Sequence, residues 1–292
     1  VNGASGMRFL LVLLATAVMF AQPLGAAEQM DTLEQVKKSG KVRVGFRNAQ
    51  PPMSFLDKDG KPAGYSVDLC VRIVNEVKNT LGRDDIAIEF IPVSSTNRFE
   101  ALSNNTIDIL CGATTKTIAR GKLVDFTQLT FVTGASLLSL KDTAVEGISG
   151  LQGKQVAVSK GTTTIDALTT KLKESVSDAK VVPVESAEAG MQALIKGEVD
   201  AFSADQVVLI GLVLTHDGDE QFAIASDIFS YEPFALAVRR NDSDFRLLAD
   251  TVLAQLNRSG QITPIYSKWF GKFTKKVPPL LQAMYVLNST PE

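Results

Sequence analysis

The sequence predicts an α/β protein of two lobes, joined by two crossover strands and enclosing a ligand cleft between them. Three observations predict this fold: a strand–helix pattern that occurs twice, apolar strands that lie outside the two copies, and polar residues at the predicted strand ends. The chain has 292 residues, of which 45% are hydrophobic, and this is enough for two modest domains with a sizeable core.

The first residues have the layout of a secretory signal peptide. A basic residue, Arg8, precedes an apolar run over 9–20, and small residues follow at 25–27. The run is shorter than the ~20 residues that a membrane span needs, so an N-terminal anchor is the weaker alternative. We therefore expect residues 1–27 to be removed, after Ala26 or Ala27, and the mature protein to be exported and soluble. No cysteine lies near the cleavage site, so we expect no lipid anchor.

The cysteine content and the charge balance limit the classes of partner. Cys70 and Cys111 are the only cysteines. In an oxidising compartment we expect this pair to form a disulfide, with two buried free thiols as the alternative. Two cysteines and one histidine exclude a Cys/His zinc site. A net charge of −2 without a basic segment argues against nucleic acid as a partner, and we expect a monomer.

The strand–helix pattern is a duplication within the chain. The segment GKVRVGFRNAQPP from Gly40 resembles GKQVAVSKGTTTID from Gly153, and each is a β-branched strand that follows a Gly-Lys turn. IPVSSTNRFEALSNNTIDILCGA from Ile91 likewise resembles VPVESAEAGMQALIKGEVDAFSAD from Val182. Strands that alternate with helices indicate an α/β lobe in each copy.

Two helices in these copies have marked ends. The first is predicted from an N-cap at Ser66 to a stop at Gly82, and the second from an N-cap at Ser186 to a stop at Gly197. The second helix is expected to turn three apolar side chains toward the core, namely Met191, Leu194 and Ile195. Apolar stripes of this kind are core positions, and they carry no functional assignment.

Two apolar strands lie outside the duplicated pattern. LTFVTGASLLSL leads out of the first copy, and YEPFALAVRR follows the second. The remaining C-terminal segment is amphipathic and helical by its pattern, so it needs a lobe to cover. The chain is therefore expected to cross from lobe 1 (28–135 and 235–292) to lobe 2 (136–234) and back. A hinge of two strands permits closure around a ligand.

Polar and charged residues follow the predicted strands. Open α/β sheets bind ligands at the carboxyl ends of their strands. These ends are Arg47, 95–98 and 113–120 in lobe 1, and 161–164, 186–188 and Asp205 in lobe 2. Set face to face, they form one cleft that holds three arginines, several hydroxyls and one aspartate.

The side chains of this cleft suit an α-amino acid that carries a second anionic group. Arg120 with Thr115 suits a carboxylate, and the segment GTTTID opposite offers helix N-terminal amides and hydroxyls to the same anion. Asp205 is placed to accept from an ammonium group. Arg47 and Arg98 then remain, and two more guanidiniums without acidic neighbours indicate a second anion, such as a side-chain carboxylate.

Several segments resemble the periplasmic solute-binding proteins of polar amino acid ABC transporters (family 3), and in particular their glutamate- and aspartate-binding branch. Besides the signal peptide, they are GYSVDL, SSTNRFEAL, CGATTKTIARGKLVDFT, SKGTT, GEVDAFSAD and the closing KWF, and they span nearly the whole mature chain. The resemblance implies a type II periplasmic-binding-protein fold and a periplasmic location. It also implies capture of glutamate or aspartate, without chemistry or a cofactor, and delivery to a membrane ABC permease driven by a cytoplasmic ATPase.

The resemblance also implies a role for each candidate site residue. The α-carboxylate would be bound by Arg120, Thr115 and Thr163, with Thr162 beside them. The α-ammonium group would be bound by Asp205 and by the backbone around Ala113. The distal carboxylate would be bound by Arg47, Ser95 and Arg98.

Two departures from the acidic branch widen the range of expected ligands. Relatives of that branch resemble CGSTT, whereas this chain has Ala113 in place of the serine, and they place a histidine about where Ala187 stands. A broad polar amino acid binding protein, which also accepts glutamine and asparagine, is therefore the alternative.

Two classes of rival function are weaker. The fold also resembles that of cyclohexadienyl dehydratases, and such an enzyme needs a placed general acid or base. The single histidine, His216, lies in a polar segment that predicts an exposed loop, and Glu188 is the only attractive acid at the cleft. Neither a G-x-S-x-G nor an H-E-x-x-H motif occurs. A fused sensor would carry a second apolar span, which we do not expect.

Overall fold

The computed structural model describes Gly3 and residues 31–216, 220–274 and 276–291. Nearly all of the predicted signal peptide, 1–27, lies outside the described residues. Asp31–Glu292 form one compact unit. None of the helices in the described ranges is both long enough and apolar enough to cross a membrane.

The described residues form thirteen strands and nine α-helices. The strands are β1 (Lys41–Phe46), β2 (Ala49–Gln50), β3 (Ser54–Leu56), β4 (Pro62–Ala63), β5 (Ala87–Pro92), β6 (Ile109–Cys111), β7 (Val124–Thr133), β8 (Ala135–Leu140), β9 (Gln155–Ser159), β10 (Lys180–Val184), β11 (Ala201–Asp205), β12 (Phe222–Ile224) and β13 (Glu232–Arg239). The helices are α1 (Thr32–Ser39), α2 (Tyr65–Leu81), α3 (Arg98–Ser103), α4 (Thr163–Glu174), α5 (Ala187–Ile195), α6 (Gln206–Thr215), α7 (Ser243–Arg258), α8 (Ile262–Phe270) and α9 (Pro279–Leu287).

Two five-stranded sheets form the centres of the two lobes. The strand order is β5-β1-β6-β13-β7 in lobe 1 and β10-β9-β11-β8-β12 in lobe 2. In lobe 1, β1 runs parallel to β5 and β6, and in lobe 2, β9 runs parallel to β10 and β11. The two copies of the duplicated pattern therefore build the same three-stranded parallel arrangement, and the predicted two-lobed α/β fold is confirmed.

The chain crosses between the sheets twice. It leaves lobe 1 at the end of β7 and enters lobe 2 at β8, with only Gly134 between them, and it returns between β12 and β13. The two crossings touch, because a Cβ atom at Gly134 would lie 2.4 Å from the carbonyl oxygen of Ser230. Glycine is therefore needed at this point of the hinge. The lobe boundaries at 135/136 and 234/235 stay predictions.

The predicted N-cap of α2 at Ser66 is wrong. The helix begins at Tyr65, and Gly64 stands at the N-cap with a φ of 133°. A Cβ atom at Gly64 would lie 2.3 Å from the carbonyl oxygen of Met53, so the entry of this helix requires glycine. Ser66 is fully buried, and its hydroxyl donates to the carbonyl oxygen of Gly112 at 3.2 Å instead of capping the helix.

The start of α5 follows the prediction, but one of its core positions does not. The hydroxyl of Ser186 accepts from the backbone N–H of Ala189 at 3.1 Å, so the predicted N-cap is confirmed. Met191 and Leu194 are buried, whereas Ile195 is 44% exposed. Ile195 is the last residue of the helix, where the chain turns away from the sheet, and its prediction as a core residue is wrong.

A disulfide joins Cys70 of α2 to Cys111 at the end of β6, with 6.4 Å between their Cα atoms. Both residues are fully buried. The bond fixes the helix that covers the sheet of lobe 1 to the strand that leads into the loop Gly112–Thr115.

Candidate functional site

The strand-end loops of the two lobes meet in the cleft. Nη2 of Arg98, from lobe 1, donates to the carbonyl oxygen of Gly161 in lobe 2 at 3.0 Å, and Nη2 of Arg120 donates to the same oxygen at 3.4 Å. A Cβ atom at Gly161 would lie 2.8 Å from the carbonyl oxygen of Ser95, so only glycine permits this approach. The structure is therefore that of closed lobes.

Three arginines of lobe 1 surround this meeting point. Arg47 and Arg98 are 6% and 2% exposed, and Arg120 is half-buried. The guanidinium carbon of Arg98 lies 4.5 Å from the centre of the Phe99 ring, and that of Arg120 lies 5.5 Å from it. Both cations thus pack on one aromatic ring. The backbone N–H of Arg47 donates to the hydroxyl of Ser54 at 2.9 Å.

The positive charge of Arg47 and Arg98 is poorly compensated, whereas nearby carboxylates offset part of the effect of burial on the pKa of Arg120. Burial, with Arg120 and Arg47 as nearby like charges, lowers the pKa of Arg98 to about 8. Burial lowers the pKa of Arg47 to about 10. Within the described ranges, no carboxylate forms an ion pair with any of the three guanidiniums. The cleft therefore has the electrostatics of an anion site.

Several polar atoms of the cleft are buried without a hydrogen-bond partner in the described part of the chain. They are the hydroxyl oxygen of Ser95, Nε of Arg98 and Oδ1 of Asp205. Buried polar groups are nearly always hydrogen-bonded, because an unsatisfied one costs about 1–3 kcal/mol. Two donors and one acceptor in one cleft therefore suit a ligand that carries both anionic and cationic groups.

Asp205 stands at the end of β11, as predicted, directly before α6. Burial, together with the nearby charge of Glu232, raises the pKa of Asp205 to about 8, against the opposing effect of Arg120 and Arg98. A cation placed beside this carboxyl group would stabilise its ionised form.

Glu232 is a second acid of the cleft that was not predicted from the sequence. It begins β13 and is only 2% exposed. Its Oε2 accepts from the hydroxyl of Thr115 at 2.6 Å and from that of Thr163 at 2.7 Å, while Oε1 accepts from the hydroxyl of Ser230 at 2.7 Å. The signal was present in the sequence, since an acid opens an otherwise apolar crossover strand, EPFALAV.

Thr162 and Ala113 are two further residues that were predicted to bind the ligand. The hydroxyl of Thr162 donates to the carbonyl oxygen of Ser159 at 2.7 Å and does not cap α4, so the first amides of that helix have no side-chain cap. The backbone N–H of Ala113 donates to Oε1 of Gln50 at 3.3 Å. Gln50 is buried and was also missed, because nothing in its segment marks it as a site residue.

His216 and Glu188 contact each other rather than the arginines. Nε2 of His216 lies 3.2 Å from Oε1 of Glu188, which also accepts from Gln192 at 2.9 Å. His216 directly follows α6 and is half-buried, so its prediction in an exposed loop is wrong. Glu188 is not the only acid at the cleft, because Asp205 and Glu232 lie among the predicted ligand-binding residues. Among the described residues, no group of three His, Cys, Asp or Glu side chains could hold a metal ion.

Two α/β lobes, joined by two crossings and closed on a charged cleft, define the class of two-lobed binding proteins. The profile of the bacterial extracellular solute-binding proteins, family 3, matches residues 42–272, and the chain belongs to this family. The resemblance stated from the sequence motifs is thereby confirmed.

Characterised relatives resemble the chain along most of its length. It is 31% identical to the L-glutamate/L-aspartate-binding protein of Pseudomonas aeruginosa over 277 residues, which cover 94% of this chain and 91% of that protein. It is also 31% identical to the glutamate/aspartate import solute-binding protein of Salmonella typhimurium over 255 residues, 87% of this chain and 83% of that protein. The names of both relatives describe binding proteins.

A solved structure extends the comparison. The ancestral amino acid-binding protein AncCDT-1, described as a precursor of cyclohexadienyl dehydratase, superposes with a TM-score of 0.71 at 28% identity, covering 82% of this chain and 99% of that one. The fold is thus shared with an amino acid-binding protein that precedes an enzyme.

Proposed function

We propose that this protein captures an acidic amino acid, glutamate or aspartate, outside the cytoplasm and delivers it to a membrane ABC permease. The observation that carries the proposal is the set of three arginines that form no ion pair with a carboxylate of the described residues, beside buried atoms of both donor and acceptor type that have no partner there. An acidic amino acid has two carboxylates and one ammonium group, which matches this set.

In this proposal, Arg47, Ser95 and Arg98 bind the distal carboxylate. The hydroxyl of Ser95 and Nε of Arg98 are buried donors without a partner among the described residues, and an incoming carboxylate satisfies both. A carboxylate also offsets the desolvation of two buried guanidiniums, which would otherwise cost several kcal/mol.

The α-carboxylate and the α-ammonium group are proposed to bind to a second set of residues in the cleft. Arg120, the N-cap residue Thr162 and the uncapped first amides of α4, which begins at Thr163, are proposed to bind the α-carboxylate. Asp205, near Ala113, is proposed to accept from the α-ammonium group, which supplies the partner that Oδ1 lacks.

The family and the predicted signal peptide support the proposed transport role and location. Membership in the extracellular solute-binding proteins and the import function named for a relative support a permease as partner. We propose the periplasm as the compartment, a monomeric state, and binding without catalysis, cofactor or metal.

Two alternatives have a specific observation in their favour. The resemblance to the acidic branch implies a histidine about where Ala187 stands, and Ala187 is buried and carries no polar group. This favours a broader receptor that also takes glutamine and asparagine. A carboxyl group with a pKa near 8, such as that of Asp205, fits a general acid, which favours an enzyme related to cyclohexadienyl dehydratases.

Isothermal titration calorimetry on protein freed of ligand by unfolding and refolding separates these candidates. We expect glutamate or aspartate to bind with a dissociation constant of about 1 μM or tighter, roughly −8 kcal/mol, and the amides at least ~10-fold more weakly. Equal binding of acids and amides would indicate the broad receptor. No binding to any of the four would contradict the proposal, and turnover of prephenate would then establish the enzyme.

A further inference from the structure

Glu232 connects both lobes and the hinge between them. Thr115 lies in the loop after β6 of lobe 1, and Thr163 is the first residue of α4 in lobe 2, yet both hydroxyls contact the same oxygen, Oε2. The other oxygen, Oε1, accepts from Ser230, whose hydroxyl in turn accepts from the backbone N–H of Ala135 at 3.0 Å. A single buried carboxylate therefore connects the loop after β6, the start of α4 and both crossings.

The contacts of Glu232 determine which hydrogen-bonding groups the two threonines present to a ligand. A hydroxyl has one hydrogen and two lone pairs. Thr115 and Thr163 each give that hydrogen to Oε2, at 2.6 and 2.7 Å, so only lone pairs remain. Their two oxygens lie 3.3 Å apart and form a pair of acceptors. Acceptors of this kind attract an N–H donor and repel a carboxylate.

A third acceptor belongs to the same electrostatic environment. Oδ1 of Asp205 is buried and has no hydrogen-bond partner in the part of the chain that the structure describes, and Asp205 and Glu232 interact through their charges. Two hydroxyl acceptors, an unsatisfied carboxylate oxygen and a buried carboxylate behind them are complementary to an ammonium group, which offers three N–H donors and a positive charge.

We infer that Glu232 is a specificity-determining positioning residue: it holds Thr115 and Thr163 as acceptors and so makes the cleft select a ligand with an α-ammonium group. This inference rests on the proposed capture of an acidic amino acid. It assigns the two hydroxyls to the ammonium group and leaves the α-carboxylate to Arg120 and the amides of α4.

The test compares two ligands that differ only in the ammonium group, glutamate and glutarate. In the unaltered protein we expect glutamate to bind at least ~100-fold more tightly, since hydrogen bonds to a charged group contribute ~10-fold to ~100-fold each. In Glu232→Gln, the amide can donate to the threonines and release their hydrogens toward an anion. We expect the preference for glutamate to fall at least ~10-fold.

A second variant keeps the test valid if Glu232→Gln does not fold. Thr163→Val removes one hydroxyl and leaves Glu232 in place. We expect glutamate binding to weaken ~10-fold and glutarate binding to change less than ~3-fold, because the lost group is an acceptor for the ammonium. Glu89→Gln is the matched control, because Glu89 lies on the outer strand β5 and pairs with Lys41 of β1. This variant should leave the dissociation constants of glutamate and glutarate unchanged.

The outcomes separate the inference from the proposed function. An unchanged ratio of glutamate to glutarate in Glu232→Gln, or equal weakening of both ligands in Thr163→Val, would overturn the role of Glu232. Equal binding of both ligands by the unaltered protein would also overturn it, while leaving an acidic-ligand site intact. Failure of the unaltered protein to bind either ligand would contradict the proposed function itself, and the inference with it.

Discussion

Arg98 and Arg120 contact the same carbonyl oxygen but are proposed to bind different groups of the ligand. Arg98 is almost fully buried beside Arg47, whereas Arg120 is half-buried, and its Nη1 donates to the carbonyl oxygen of Thr115 at 2.9 Å. In the proposed assignment, the more buried guanidinium binds the distal carboxylate, which only acidic amino acids possess. The other binds the α-carboxylate, which all amino acids share.

Substitution of these two arginines should therefore have different consequences. Arg120→Ala is expected to abolish binding of every amino acid, and Arg98→Ala to weaken glutamate at least ~10-fold more than glutamine, because a charge-assisted pair is lost. Calorimetric titration of both ligands into both variants measures this. Arg83→Ala, which removes an exposed arginine paired with Asp85, is the control. Equal losses of both ligands in both variants would refute the division of roles.

The protonation of Asp205 should couple ligand binding to pH. In the closed cleft, burial and Glu232 raise the pKa of Asp205 to about 8, and an ammonium group beside the carboxylate lowers that pKa in the complex. Binding at neutral pH then releases a proton, so affinity for glutamate should increase from about pH 6 to about pH 8. It should fall above that, where Arg98, whose pKa is about 8, loses its charge. Calorimetry at pH 7 in two buffers of different ionisation enthalpy measures the release. Identical heats in both buffers would contradict it.

At the scale of residues, the charged side chains of the cleft were easier to predict from the sequence than the hydrogen bonds between them. Arg47, Arg98, Arg120 and Asp205 follow strands of a duplicated pattern, and their convergence is a consequence of parallel sheet topology. Glu232 belongs to a crossover strand outside the duplication, so the same reasoning did not reach it. Its contacts with residues 69 and 117 positions earlier arise only after both lobes have formed.

At the scale of elements, strands and helix ends were predictable where the chain marks them locally. The left-handed glycines Gly82 and Gly197 follow helices at the predicted places, and Ser186 caps α5. The predicted start of α2 was wrong because tertiary contacts determine where this helix begins. The close approach of Met53 requires Gly64, and the hydroxyl of Ser66 donates to the loop after β6. Local capping preferences do not contain that information.

The disulfide between α2 and β6 should contribute strongly to stability. The two cysteines are separated by 41 positions, and the chain-entropy relation for a loop of this size gives about 4 kcal/mol. Reduction should therefore lower the free energy of unfolding by about 3–4 kcal/mol, measured by urea denaturation with and without a thiol reductant. The double variant Cys70→Ala, Cys111→Ala should not respond to the reductant. An unchanged midpoint for the unaltered protein after verified reduction would refute this contribution.

At the scale of the whole molecule, the lobes touch at a second place outside the binding residues. A Cβ atom at Gly211 of α6 would lie 2.2 Å from the carbonyl oxygen of Pro51 in lobe 1. Closure thus depends on a glycine in a helix of lobe 2, where alanine alone would favour the helix.

Gly211→Ala should therefore impair closure without impairing folding. We expect glutamate and aspartate to weaken alike, by ~10-fold, because the added methyl group prevents the close approach of the lobes. Small-angle scattering should show a larger radius of gyration for the variant with ligand than for the unaltered protein with ligand. Gly197→Ala is a less suitable control because of its left-handed backbone, whereas Gly121→Ala adds a methyl group with no atom within 4 Å of it. Undiminished binding by Gly211→Ala would show that this contact does not limit closure.

A crystal structure of the mature protein with glutamate would test the proposed binding mode most directly. We expect one glutamate between the lobes, with its distal carboxylate within hydrogen-bond distance of Arg47 and Arg98 and its ammonium group at Asp205. A glutamate in the reverse orientation, or bound outside the cleft, would contradict the assignment of the arginines and with it the proposed basis of acidic specificity.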